Sequence, residues 1–431
     1  MDFERFFVLI FLCPALAYFI RFCIKEKRID PIDFKFQFIF YWLFYGFAVP
    51  IDYVIGFEII KPWAVVDYTQ EKFFYSMLTA MLLFYTTLIG FLITYRKPIP
   101  INHYVKNQNV KLLTIPITLL VIIVVSYFLY NLDDILSLSR MERNIQGVNS
   151  SYRILKFFET VLTATGCIFI LFNKNIKNVH ILTFILILLG AAQGDRSSIL
   201  VPAFAWLLRV KPTIKTRHFF ILILSALFLL FVWKALYSFA IAYALGNDVS
   251  LNDMLKSFSF SIIEPVSSYN LTTWVLADWG LGDIYGGYTI FVLPYLRALP
   301  RFLFEFDVPT LAEQFMSLYL PHIAAKGGGR GFGIVAEFYL NFYYIGPFIF
   351  GIIWGLLAKY INNKHSLILS FIFLLCNFRI FRSDVASVFK SYVIMYGSVF
   401  FVWFIITIII KYGMSSQLYE GKTSNQSFRD Y

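Results

Sequence analysis

Residues 180–208 read HILTFILILLGAAQGDRSSILVPAFAWLL: an apolar arm, His180–Gln193, a polar tip, Gly194-Asp195-Arg196-Ser197-Ser198, and a second apolar arm, Ile199–Leu208. Basic loops flank the stretch on both sides, so the polar tip is the end of a hairpin. Whether the arms lie in a protein core or in a bilayer is settled by the rest of the chain. Of its 431 residues, 59% are hydrophobic, 20% aromatic and only 15% charged, and the mean hydropathy is +0.69. A soluble domain keeps roughly 25% charged residues to cover its surface, so this chain cannot coat globules of its size. Disordered, collagen-like and disulfide-scaffold classes fail on the same composition. The chain reads as an all-α, polytopic integral membrane protein.

A spanning helix needs about 20 apolar residues. Full-length candidates are Phe6–Phe22, Phe36–Val54, Phe73–Tyr95, Leu112–Tyr130, Phe157–Phe172, Phe219–Tyr243, Ile334–Leu357 and Tyr392–Ile410. His180–Gln193, Ile199–Leu208 and Leu367–Phe378 are shorter. Together they predict about 11 spans, within 10–12, in a single multi-pass domain, 1–431. Cys13, Cys23, Cys167 and Cys376 sit in or beside apolar runs with no C-x-x-C spacing, which suits packing rather than redox or metal chemistry.

The formal charge is +11, and its distribution is a topology signal. Lys and Arg concentrate on cytoplasmic loops. If the loop with Lys25, Lys27 and Arg28 is inside, alternation puts Arg96–Lys111, Lys174–Lys177, Arg209–Arg217, Lys359–Lys364 and the tail 411–431 inside as well. These regions are strongly net positive and the opposite side is net negative, so no nucleic-acid partner is expected. The N-terminus is then outside and the C-terminus cytoplasmic. Ala15-Leu16-Ala17 resembles a signal-peptidase site, but Met1–Arg5 lacks a basic leader region, so the first span is expected to be an uncleaved anchor.

One external segment, 246–331, is far longer than the others and rich in Trp, Tyr and Pro. Its apolar stretches are too short to span and are broken by proline, which predicts short helices on the outer interface. Loops of this length are usually functional or disordered, and this one is too aromatic for disorder.

Ionisable groups at membrane depth default to function, and three places stand out. Arg196, beside Asp195, ends an ascending arm of 14 residues, about 21 Å against a core of about 30 Å, and should lie recessed. A structural pair with Asp195, or snorkelling to headgroups, is the alternative. Arg330 lies in Gly327-Gly328-Gly329-Arg330-Gly331-Phe332-Gly333, where glycines can turn N–H groups toward an anion at the start of Ile334–Leu357; a hinge is the alternative. Arg379 and Arg382 precede Ser383-Asp384, with Arg382 the better functional candidate unless it only pairs with Asp384. Each place sets an arginine at the outer start of a helix descending into the membrane, a pattern suited to a polyanion because arginine grips phosphate oxygens bidentately. Arg297 and Arg301 are candidate auxiliaries. Glu337, one turn into Ile334–Leu357, could take a proton from a hydroxyl or pair with Arg330 or Arg196. His322 is the one outer histidine by this topology. No acidic metal cluster or Ser/His/Asp spacing appears, so neither metal nor cofactor is expected.

In these motifs the chain resembles the Wzy-type O-antigen (oligosaccharide repeat-unit) polymerases. The resemblance rests on Gly194–Ser197, on Tyr285-Gly286-Gly287-Tyr288-Thr289 followed by Leu299-Pro300-Arg301, on the glycine cluster leading to Glu337-Phe338-Tyr339-Leu340-Asn341-Phe342 and Gly346, and on Arg382-Ser383-Asp384. It covers about Leu182 to Tyr396. The family's usual Asn-Phe-Gly reads Asn341-Phe342-Tyr343 here. The resemblance implies a GT-C-like, metal-independent glycosyltransferase at the outer face of the bacterial inner membrane. It would move a nascent glycan from undecaprenyl diphosphate to a new lipid-linked repeat unit. By the same resemblance, Arg196, Arg330 and Arg382 would hold the diphosphates, with Asp195, Arg301 and Arg379 beside them. Glu337 or His322 would be the base, and Tyr288 with the other loop aromatics would stack sugars. Membrane lipids, a chain-length regulator and a flippase are the further partners it suggests. An O-antigen ligase of similar architecture and a lipid-linked oligosaccharide flippase are the rival readings; the single large outer loop and the scarcity of deep polar groups argue against transport.

Overall fold

The computed structural model describes residues 3–25, 28–55, 70–95, 113–130, 150–192, 196–210, 214–215, 221, 269, 272–276, 285–298, 308–319, 321–325, 332–364, 366–394, 396–405 and 408. The expected span Phe219–Tyr243 lies outside them apart from residue 221, and the expected tail 411–431 lies wholly outside. The described chain is helical apart from one two-residue ladder. By length and composition four helical stretches could cross a membrane, Phe3–Lys25, Lys72–Thr94, Ile334–Lys364 and Val385–Ile405, the third of them interrupted at Tyr343–Ile345. Shorter apolar helices accompany them, as a polytopic membrane protein requires.

In chain order the first helices are α1 (Phe3–Lys25), α2 (Phe34–Gly46), α3 (Ala48–Ile55), α4 (Gln70–Thr94), α5 (Thr114–Tyr130) and α6 (Ser150–Phe172). The expected span Phe36–Val54 is therefore two helices. Pro50 has no N–H to offer the Gly46 carbonyl, and the chain breaks at Phe47. Strand β1 (Arg28–Ile29) pairs antiparallel with β2 (Ile214–Lys215). This ladder joins two of the basic loops that charge alternation assigns to one side.

The hairpin is formed by α7 (Ile176–Ala192) and α8 (Arg196–Val210). Its open end is tied twice: Trp206 Nε1 donates to His180 Nδ1 at 2.8 Å, and the Arg209 guanidinium donates through Nε and Nη2 to the Asn173 carbonyl at 3.1 and 2.8 Å.

The described part of the long loop supplies α9 (Tyr288–Phe291), α10 (Leu293–Ala298), α11 (Leu311–Tyr319) and α12 (Pro321–Ala324). A capping box starts α11: Thr310 N–H donates to Glu313 Oε2 at 2.7 Å and Glu313 N–H to Thr310 Oγ1 at 3.2 Å, satisfying two donors that a helix start leaves open. Arg297, expected as an interfacial auxiliary, is committed to structure. It forms an ion pair with Glu313 at 2.7 Å and donates to the Val308 carbonyl at 3.1 Å, tying α10 to α11. Trp274, from the same long loop, is packed away too. It is 2% exposed and stacks on Phe315 at 5.4 Å, in a cluster with Leu311, Phe332, Ala336 and Leu340.

The largest departure from expectation concerns Ile334–Leu357. It comprises α13 (Ile334–Phe342), a 3-10 turn over Tyr343–Ile345, and α14 (Gly346–Lys364). A straight helix would separate residues 338 and 350 by about 18 Å, yet the Phe338 and Phe350 rings lie 5.2 Å apart. A Cβ on Gly346 would fall 1.9 Å from the Phe338 carbonyl oxygen. The chain thus folds back, and α13 packs against the first turns of α14 instead of continuing as one descending span. Pro347 is the physical cause, since it cannot donate to the Tyr343 carbonyl and disfavours helix immediately before it.

Tyr343 absorbs the reversal with φ 51° and ψ −146°, the one non-glycine residue with positive φ among the described residues. Such conformations cost of order 1–3 kcal/mol, so Tyr343→Gly is expected to raise stability by about 1 kcal/mol, read as a higher melting temperature in detergent. An unchanged or lower value would contradict the strain.

The remaining helices are α15 (Leu367–Ile380) and α16, which starts at Val385 and passes through a π-helical stretch, Phe389–Ile394. Packing between α4 and α14 uses glycine, as membrane helices do when backbones approach closely. Gly90, Gly351 and Gly355 face the Phe348, Thr87 and Phe91 carbonyls, and Thr94 Oγ1 donates across the seam to the Ile352 carbonyl at 3.3 Å. Beside this seam lies an aromatic core: Phe38 stacks on Phe91 at 3.8 Å and meets Phe381 at 5.3 Å.

Candidate active site

The site is built where α13, the loop turn and the α15–α16 tip meet. α14 is 19 residues, about 28 Å and close to the hydrocarbon thickness. α15 has 14 residues, about 21 Å. The two are antiparallel neighbours: Trp354 stacks on Phe373 at 5.0 Å and donates from Nε1 to Asn377 Oδ1 at 2.9 Å. The ring of Phe381, just past α15, lies 6.2 Å from that of Phe350, one turn into α14. The 381–384 tip is therefore sunk about one helical turn, roughly 5 Å, below the Gly346 end of α14.

Phe381, 1% exposed, anchors the tip in the core. Its flanking arginines differ. Arg379 donates to Ser383 Oγ and to the Tyr392 hydroxyl, each at 3.4 Å, and its guanidinium lies 5.7 Å from the centre of the Tyr392 ring. Arg379 thereby braces the tip against α16. Half-buried Arg382 lies over the Phe378 ring at 5.6 Å, and its N–H donates to the Arg379 carbonyl at 3.0 Å. Asp384 is occupied locally: Ser387 donates to it through N–H at 2.7 Å and through Oγ at 3.1 Å, making it the N-cap of α16.

Glu337 reaches the same helix start. The Val385 N–H donates to its Oε2 at 2.7 Å across 48 residues of sequence. Two carboxylates thus take two of the open donors at one helix N-terminus. Glu337 is fully buried, and among the described residues its Oε1 has no hydrogen-bond partner. The expected pairing of Glu337 with Arg330 or Arg196 falls outside what is described, Arg330 wholly and Arg196 in its side chain.

The loop turn sits against the same face of α13, because Asn341, which holds it, is one helical turn after Glu337. Gly286 and Gly287 adopt φ 54° and 90°, open to glycine and strained for other residues. Tyr285 N–H donates to the Leu340 carbonyl at 3.2 Å, and Gly287 N–H to Asn341 Oδ1 at 2.9 Å. Tyr288, 37% exposed, follows this turn. Asn341 was not among the residues singled out from sequence, though it stood within a quoted motif; its polarity in an otherwise apolar helix was the signal.

Arg196 opens α8, whose Phe204 packs on Phe378 at 5.8 Å. Residue 196 is eight positions earlier, so the hairpin tip stands about 12 Å along the helix axis from the level of Phe378. The structure thus makes neighbours of α8, which Arg196 opens, and α15, which leads into the turn that holds Arg382. His322 lies in α12, which follows α11. Asp195, Arg301 and Arg330 lie outside the described residues. Among the described residues no cluster of His, Cys, Asp or Glu is grouped as a metal site would need.

What converges, then, is a recessed arginine tip, a buried carboxylate at a helix start and a glycine turn presenting a tyrosine, all within an apolar helical bundle. No curated protein and no solved structure matches the chain. A family model described as O-antigen polysaccharide polymerase Wzy matches residues 4–414, nearly the whole sequence, and the chain belongs to that family of membrane proteins of polysaccharide and lipopolysaccharide biosynthesis.

Proposed function

We propose that the protein is a GT-C-like glycosyltransferase of the bacterial inner membrane with about eleven spans. In this reading it elongates a surface polysaccharide by moving the nascent chain from undecaprenyl diphosphate to a new lipid-linked repeat unit. A hydroxyl of the incoming unit attacks the anomeric carbon of the chain's reducing-end sugar, the bond to the diphosphate breaks, and undecaprenyl diphosphate departs with the electron pair. Negative charge grows on the departing diphosphate. Preorganised guanidinium groups in a water-poor site are then worth more in the transition state than in the ground state.

The observation that carries this reading is the meeting of the Arg382 tip and Glu337 at one helix start, a turn below the end of a spanning helix. Arg382 and Arg196 bind the two lipid diphosphates. Arg330 completes the anion site, and Asp195, Arg301 and Arg379 steady its cations. Glu337 takes the proton of the attacking hydroxyl; His322 is the second base candidate. Tyr288, presented by its turn, stacks on a sugar. The catalysis uses neither metal nor cofactor, the 246–331 loop faces outward, and a flippase and a chain-length regulator work alongside.

Arg382→Ala and Arg196→Ala are each expected to leave cells displaying single repeat units without long chains, read from the glycan ladder on a gel. A normal distribution of lengths in both variants would end the assignment.

A further inference from the structure

Asn341 is 1% exposed and lies on the last turn of α13, where a purely packing role calls for an apolar side chain. All its amide capacity toward the loop is used. Oδ1 accepts from Gly287 N–H at 2.9 Å, while Nδ2 donates to Thr289 Oγ1 at 2.7 Å and to the Glu337 carbonyl at 2.8 Å. The Gly287 N–H is buried and precedes a helix, so it has no carbonyl of its own α9 to bond; without Asn341 it would be an orphaned donor. Thr289, also buried, accepts from the same amide and reaches the Glu337 carboxyl as well. Neither tie could be made by an aliphatic residue. Beside the backbone bond from Tyr285 to Leu340, this side chain locks the Tyr285–Thr289 turn to the helix that carries Glu337, on the residues flanking Tyr288.

We infer that Asn341 is a positioning residue for glycan transfer, setting the register of the Gly286–Gly287 turn, and with it Tyr288, against Glu337. This rests on the polymerase reading above. A sugar stacked on Tyr288 is then held at a fixed place relative to the carboxylate one turn before Asn341. Displacement of such a group by about 1 Å can cost a hundredfold in rate. The side that suffers is the incoming lipid-linked unit, since the sugar stacked on Tyr288 is the one whose hydroxyl faces Glu337.

Two measurements on the full-length protein test this. Hydrogen exchange of segment 285–291 is expected to speed up in Asn341→Ala, with α14 still protected. Unchanged exchange would overturn the clamp. In the same variant, transfer between purified lipid-linked repeat units should lose about a hundredfold in kcat/KM, with KM rising for the acceptor and unchanged for the donor. Thr289→Val should show part of this loss, and the double variant no more than Asn341→Ala alone. A uniform fall in kcat with both KM values unchanged would mark Asn341 as merely structural and overturn the positioning role. A parent protein that transfers no lipid-linked glycan would sink the underlying reading and the role with it, while the exchange result would still stand for the clamp.

Discussion

Glu337→Gln is expected to fold as the parent does and to transfer glycan about 10²–10⁴-fold more slowly, the range lost when a general base is removed. Glutamine keeps an oxygen for the Val385 N–H, now 2.7 Å from Glu337 Oε2, so the α13–α16 contact survives. What it removes is the ability to accept a proton. Glu337→Leu removes both, leaving the Val385 donor unsatisfied at about 1–3 kcal/mol beside a helix start that favours negative charge. It should therefore lose stability as well as activity. The comparison separates the two jobs. If glutamine sustains the parental rate while leucine does not, Glu337 is an acceptor that holds the tip in place, and the base must be sought elsewhere, with His322 first.

Gly351→Leu is expected to prevent folded protein from accumulating, and Gly351→Ala to lower the melting temperature. A Cβ at this position would lie 2.2 Å from the Thr87 carbonyl oxygen and 2.8 Å from the Phe91 nitrogen. These are backbone atoms of α4 and cannot swing aside as a flexible side chain can. Overpacking usually costs about 1–3 kcal/mol and sometimes more. Here the α4–α14 seam would have to open at Gly90 and Gly355 too. Helices in a bilayer gain no hydrophobic drive from touching, so close van der Waals fit carries their association. The same displacement would move Phe350 away from Phe338 and Phe381, and the recessed tip would lose its floor. Size-exclusion profiles and thermal unfolding in detergent measure the effect; a leucine variant that melts with the parent would show that the seam is not a structural requirement.

Much of this site was legible in the residues. Arg379, Arg382, Glu337 and Tyr288 were all picked out from sequence, because charged or turn-forming residues in apolar surroundings are conspicuous one at a time. Asn341 was quoted as part of a motif without a role; an amide's role depends on which partners reach it, and Gly287 lies 54 positions away. Arg297 was misjudged for the same reason. An arginine in a loop looks available until Glu313 is found against it. The break before Pro347 was in plain view, yet the apolar run on either side masked it.

Membership of the bilayer, the hairpin around Gly194–Ser198 and the placing of arginines near helix starts all follow from local chemistry, since apolar length and charge act wherever the chain goes. Pro347 breaks the run locally, but tertiary packing decided that α13 lies back on α14, that Glu337 meets the start of α16, and that the glycine turn is tied to Asn341. The last two contacts join residues 48 and 54 positions apart, and the first exists only because Gly346 lets the backbones approach and Tyr343 accepts a conformation that no local preference would select.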